Sequence, residues 1–86
     1  MKNTKTKKLT FNESNLIAFI LIEKMQYSKK ELFVNNGQGF NELINDDFVR
    51  FSISFHLTDM RIEEYVKVVK TYGRDAVQSI VSNFIN

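Results

Sequence analysis

Val49-Arg50-Phe51-Ser52-Ile53-Ser54-Phe55-His56-Leu57 is the stretch whose reading decides the fold. Its odd positions are all apolar and its even positions all polar. Side chains on an extended chain alternate between faces, so this strict alternation predicts an amphipathic β-strand over residues 49–57. Phe51, Ile53, Phe55 and Leu57 then face a core, and Arg50, Ser52, Ser54 and His56 face solvent.

The chain beyond Leu57 reads as two helices. Thr58 and Asp59 offer an N-cap. Ile62, Tyr65, Val66, Val69 and Tyr72 share one helical stripe, which predicts a helix over 59–72. Gly73 is a helix-stop residue able to take positive φ. Asp75 offers a second N-cap. Val77, Ile80, Val81, Phe84 and Ile85 then make the apolar face of a short helix over 75–85.

A lone strand has open edges, and neither helix has an opposing layer. Pairing two copies answers both needs, since two strands form an antiparallel ribbon and four helices close over it. The expected assembly is a homodimer whose core holds Phe51, Ile53, Phe55, Leu57, Ile62, Tyr65, Val69, Ile80 and Phe84.

Upstream, residues 1–8 carry Lys2, Lys5, Lys7 and Lys8 and no apolar residue after Met1, the composition of a disordered basic arm. Residues 8–11 could form a short strand. Residues 13–26 are a helix candidate. Their central run, 16–22, is apolar on all sides and should be buried, with a buried strand as the competing reading. Ser28 and Glu31 form a capping-box pattern that starts a second helix at Lys29, ending near Asn35-Asn36-Gly37. Residues 37–39 read as a loop, residues 40–44 as a last turn, and Asn45-Asp46-Asp47 as turn chemistry separating the halves. The expected fold is thus α+β with more helix than strand, divided into an arm over 1–8, a helical extension over 9–47 and a strand-helix-helix unit over 48–86. The extension also has the same order of parts as the unit after it. It can be read as a degenerate copy that would let the chain pair its own two ribbons.

Composition narrows the chemistry. The chain has 86 residues, no cysteine and one histidine, so thiolate chemistry, disulfides and a histidine-based metal site are not expected. No nucleophile–base pair or metal constellation is visible, and the expectation is a non-enzyme without cofactor or metal. Small chains without staples commonly gain stability by oligomerising. The net charge of +2 hides its distribution. Residues 9–47 hold 3 basic and 6 acidic residues, and residues 48–86 hold 5 and 4. No apolar run is long enough for a membrane span or a secretion signal, which points to a cytoplasmic protein.

Residues 50–86 resemble the ribbon-helix-helix family of DNA-binding repressors, the Arc/MetJ type. The matching features are the alternating Ser52-Ile53-Ser54-Phe55-His56-Leu57, the polar break Thr58-Asp59, the striped helix, Gly73 sixteen residues after Leu57, and Arg74-Asp75 opening the last helix. The resemblance implies a dimeric regulator of plasmid or phage type. It would read the major groove of double-stranded DNA with a two-stranded ribbon. Base contacts would fall on Ser52, Ser54 and His56, and phosphate contacts on Arg50, Arg74 and Asp75, with Lys5, Lys7 and Lys8 reaching the backbone from the arm. Two other classes compete. One is a small inhibitor that binds a protein. The other is a non-catalytic piece similar to the C-terminal small-domain segment of pyridoxal-phosphate cysteine desulfurases, on the strength of Val49-Arg50-Phe51-Ser52, Thr58-Asp59 and Ile62-Glu63.

Overall fold

The structure is a computed structural model, and it describes residues 9–84. The basic arm, with Lys5, Lys7 and Lys8, and the last residue of the apolar series, Ile85, lie outside the described residues.

Thr10 opens the first helix, not a strand. Its hydroxyl accepts from the Glu13 amide at 3.1 Å, and the Glu13 carboxylate accepts from the Thr10 amide at 2.8 Å. This reciprocal box satisfies two amides that a helix start leaves without partners. Helix α1 runs Phe11–Phe19 and continues into a π-helical turn, Ile20–Lys24. The Met25 amide caps the turn by donating to the Ile20 carbonyl at 3.0 Å, and Gln26 follows in the left-handed region, φ 71°. Leu16, Ile17, Ile20 and Leu21 are fully buried, as an all-round apolar run requires.

Ser28 and Glu31 make the anticipated capping box, at 3.1 and 2.8 Å, and start α2 at Lys29–Phe33. Three successive left-handed residues come next, Asn35, Asn36 and Gly37. Helix α3, Gln38–Ile44, begins inside the stretch expected to be loop. Gly39 lies where α3 crosses the end of α2: a Cβ there would fall 1.9 Å from the Glu31 carbonyl oxygen. Only a glycine permits that approach.

The 49–57 stretch is not a strand. It is the body of α4, Asp47–Thr58, and no strand occurs among the described residues. The α+β expectation, the two-stranded ribbon and the self-paired ribbons of a degenerate repeat are corrected accordingly. Helix geometry explains how the same letters serve both readings. Successive residues turn by about 100°, so residues two apart point about 200° apart. Val49, Ile53 and Leu57 therefore line one side of α4, and Phe51 and Phe55 the opposite side. Alternation on a strand becomes two opposed apolar rows on a helix. What selects the helix is at its ends. The Asp46 side chain accepts from the Val49 amide at 3.0 Å, and Asp47 adds a second carboxylate to the first turn, where the helix dipole favours negative charge. Phe48, apolar and next to Val49, also breaks the period of two.

Helix α5 is Ile62–Tyr72, three residues shorter at its start than expected. Thr58 and Asp59 close α4 instead of capping α5, and the Asp59 amide donates to the Phe55 carbonyl at 2.9 Å. Gly73, at φ 97°, ends α5 as foreseen, its amide donating to the Val69 carbonyl at 2.8 Å. Helix α6, Arg74–Phe84, starts one residue earlier than expected, so Asp75 sits inside the first turn and not at the cap. Its Ala76, Val77, Ile80 and Phe84 are buried. Helix α6 packs against α1, α4 and α5, and the core joins Leu16, Ile20, Ile53, Leu57, Val77 and Ile80. This core closes within one chain. Ile53, Leu57, Ile80 and Phe84 are buried in it without a second copy, whereas Phe51, Phe55 and Ile62 remain exposed.

Candidate functional site

The outer face of α4 is the feature that packing does not account for. Phe48, Phe51 and Phe55 are exposed at 76, 52 and 51%, on the side of the helix away from Val49, Ile53 and Leu57. Exposed apolar residues singly or in pairs are ordinary on any surface, and Phe11 on α1, Phe33 with Val34, and Ile62 with Val66 on α5 are of that kind. Three phenylalanines within two turns form one patch. At roughly 200 Å² per ring, they expose on the order of 350 Å², the size of the largest apolar patch on a typical monomer. A helix apolar on both sides is normally covered on both sides.

The patch has defined ends. Asp47, Phe51, Phe55 and Asp59 are spaced four apart and form a single row along the helix, with Phe48 beside it. Ser52 and His56 flank the row and are half-buried, and the His56 ring meets the Phe55 ring edge-on at 6.0 Å. The one arginine of α4 does not reach this face. The Arg50 guanidinium donates to the Ile44 carbonyl at 2.9 Å and the Asn83 carbonyl at 3.3 Å, and lies 4.1 Å from the centroid of the Phe84 ring.

The residues expected to read bases do not share a face. The expectation rested on side-chain alternation along a strand. On α4, Ser54 is fully buried, with its hydroxyl 3.5 Å from the Val81 carbonyl, while Ser52 and His56 sit at the edge of the outer face. Of the expected phosphate contacts, Arg50 is engaged with two helix ends, and Arg74 and Asp75 are exposed on the first turn of α6. Tyr65 and Val69, expected in a dimer core, are half-buried within the chain. The sequence reading overlooked Phe48 and turned Phe51 and Phe55 inward. The signal for a helix was present in Asp46, three residues ahead of Val49, and in the adjacent pair Phe48-Val49.

Besides a shallow depression lined by Leu57, Met60, Ile62, Tyr65 and Val81, two grooves mark the surface of the described residues. One, between α1 and the α2–α3 pair, is lined by Asn15, Ala18, Phe33, Asn36, Phe40 and Asn41, without an ionisable group. The other runs along α5 between Phe19, Arg61, Glu63, Lys67 and Tyr72. There the Lys24 ammonium pairs with the Glu64 carboxylate at 2.7 Å, and the Phe19 and Tyr72 rings stand 6.0 Å apart. Burial raises the Tyr72 hydroxyl above the ordinary tyrosine value. Neither groove brings a nucleophile to a base. Among the described residues, no group of three or more His, Cys, Asp or Glu converges as metal ligands would. No helix among them is long and apolar enough to cross a membrane.

No family model, no curated protein and no solved structure matches this chain.

Proposed function

We propose that this protein is a small helical protein-binding module that docks through the outer face of α4. The observation that carries the reading is the Phe48–Phe51–Phe55 patch, opposite a core face on which Val49, Ile53 and Leu57 are already buried. Exposed aromatic residues on a rigid element suit an interface, because a Phe ring buries a large area at little cost in side-chain entropy. The competing DNA reading has lost the ribbon that would have entered the major groove. Its remaining support is the lysine content of residues 1–8 and the exposed Arg74, neither of which is specific for nucleic acid.

The test is a photo-crosslinking phenylalanine analogue at position 51 of the full chain, with the same group at position 67 on α5 as control. A discrete protein adduct formed from position 51 and absent from position 67 is the expected result. No protein adduct, together with retention on DNA at both low and physiological salt, replaces this reading with the nucleic-acid one.

A further inference from the structure

We infer that the α4 patch is built for a partner whose apolar surface is closed at both ends by lysine or arginine, of which a basic amphipathic helix is the simplest form. The inference rests on the protein-binding reading above and adds the chemistry of the partner. Its basis is the row Asp47–Phe51–Phe55–Asp59, in which two aromatic rings are bracketed by carboxylates. Twelve helical steps place those carboxylates about 18 Å apart along the axis. Between them the outer face of α4 carries no lysine or arginine, because Arg50 is turned inward to the Ile44 and Asn83 carbonyls.

The two ends have different explanations. Asp46 and Asp47 belong to the helix start, where capping and the dipole favour carboxylates. Asp59 stands at the opposite end, where the dipole disfavours a negative charge, and its side chain caps nothing: the contact it makes there is through its backbone amide. Asp59 also stands just ahead of α5, near that helix's positive start, yet its side chain caps neither helix; its place in the row with Phe51 and Phe55 closes the second end of the patch.

The same frame disfavours a second copy of this chain. Two α4 helices packed antiparallel through the rings bring Asp47 of one toward Asp59 of the other. Packed parallel, they bring each aspartate toward its own counterpart. Carboxylate faces carboxylate either way, an arrangement that selects against the pairing. The rings cannot override it by area. They expose on the order of 350 Å², less than half of the roughly 800 Å² per partner that a stable interface takes. The remainder must come from the flanks, where a copy repels and a basic partner attracts. The row winds around the axis by about 120° from Asp47 to Asp59, and such an inclined ridge fits the groove of another helix.

The test uses the full chain and two synthetic helical peptides with the same leucine stripe. One peptide has lysines at both ends of the stripe and the other has glutamates. Fluorescence anisotropy should show the lysine-ended peptide binding at least ~10-fold tighter, with the gap narrowing as salt rises. Asp47→Lys combined with Asp59→Lys should invert the preference. Phe51→Ala combined with Phe55→Ala should abolish binding of both peptides. Equal binding of the two peptides to the wild type, or binding of neither, overturns the inference. So does a micromolar wild-type dimer, seen by sedimentation, that the double Phe variant dissociates. Equal binding that the double Phe variant still abolishes would leave the protein-binding reading standing and remove only the charge frame. If the double Asp variant does not fold, the wild type's discrimination and its salt dependence decide the matter.

Discussion

The Arg50 guanidinium lies 4.1 Å from the centroid of the Phe84 ring, in the range of a cation–π contact, while its N–H groups reach the carbonyls of Ile44 and Asn83. Those carbonyls belong to the C-terminal ends of α3 and α6, where helices leave acceptors without partners and the dipole is negative. A single side chain on α4 thus fastens two other helices. It also lies over the ring of Phe84, a buried aromatic residue of the core.

Arg50→Ala is therefore expected to cost about 1.5 kcal/mol, discounted from a buried charged hydrogen bond because the side chain is half-exposed. Arg50→Lys keeps the charge but loses the planar fork and the stacking, and should recover less than half of the loss. Urea unfolding of the three proteins measures both. Equal stability of Arg50→Lys and wild type would mean that charge alone holds the helix ends.

The two faces of α4 give an asymmetric mutational pattern. Ile53→Ala should cost about 2–5 kcal/mol, as for other large apolar side chains lost from a core. Phe55→Ala, two residues away on the outer face, should change stability by no more than about 0.5 kcal/mol. A strand with Phe55 packed inside predicts a large loss at both positions, so urea midpoints for the pair decide between the two structures.

Gly37 and Gly39 should respond to alanine for different reasons. At Gly37 the space is open and only the left-handed backbone, φ 91°, resists a side chain, so the cost should be about 1 kcal/mol. At Gly39 a Cβ would meet the Glu31 carbonyl oxygen at 1.9 Å, and the obstacle is backbone. Gly39→Ala should separate α2 from α3 and destabilise the protein clearly more than Gly37→Ala. Thermal melts of both variants check the order.

Tyr72 links stability to alkaline pH. Burial raises its hydroxyl above the ordinary value of 10.0, so the folded state holds the proton more tightly than the unfolded chain does. The stabilisation is complete below pH 10.0 and falls away as pH rises through the folded value. Tyr72→Phe has no such proton. The stability difference between Tyr72→Phe and wild type should stay constant below that pH and then widen in favour of the variant. Parallel urea series on both sides of that pH test the sign.

Much of the chain was legible from local chemistry alone. The Ser28–Glu31 box and the stop at Gly73 depend on neighbours within a turn or two and stand in the structure as the sequence implies, and in the apolar 16–22 run Leu16, Ile17, Ile20 and Leu21 are buried while Ala18, Phe19 and Ile22 are half-buried. The last helix was also visible, displaced by a residue at its start. Residues 49–57 were not settled by local chemistry, because a period of two along a strand and a pair of opposed i,i+4 rows along a helix produce the same string of letters. Just ahead of it, the Asp46 cap on Val49 and the adjacent Phe48 favour the helix, and packing then decides which row is buried. Once α6 lays Val77 and Ile80 beside Ile53 and Leu57, one row of α4 is core and the other is surface. The aromatic patch, the inward turn of Arg50 and the loss of a shared face for Ser52, Ser54 and His56 are all consequences of that choice. By itself, then, the sequence determined the capping box at Ser28, the stop at Gly73 and the apolar runs that supply the core. The tertiary structure decided which of the apolar side chains are left outside, because that depends on contacts between residues far apart in the chain.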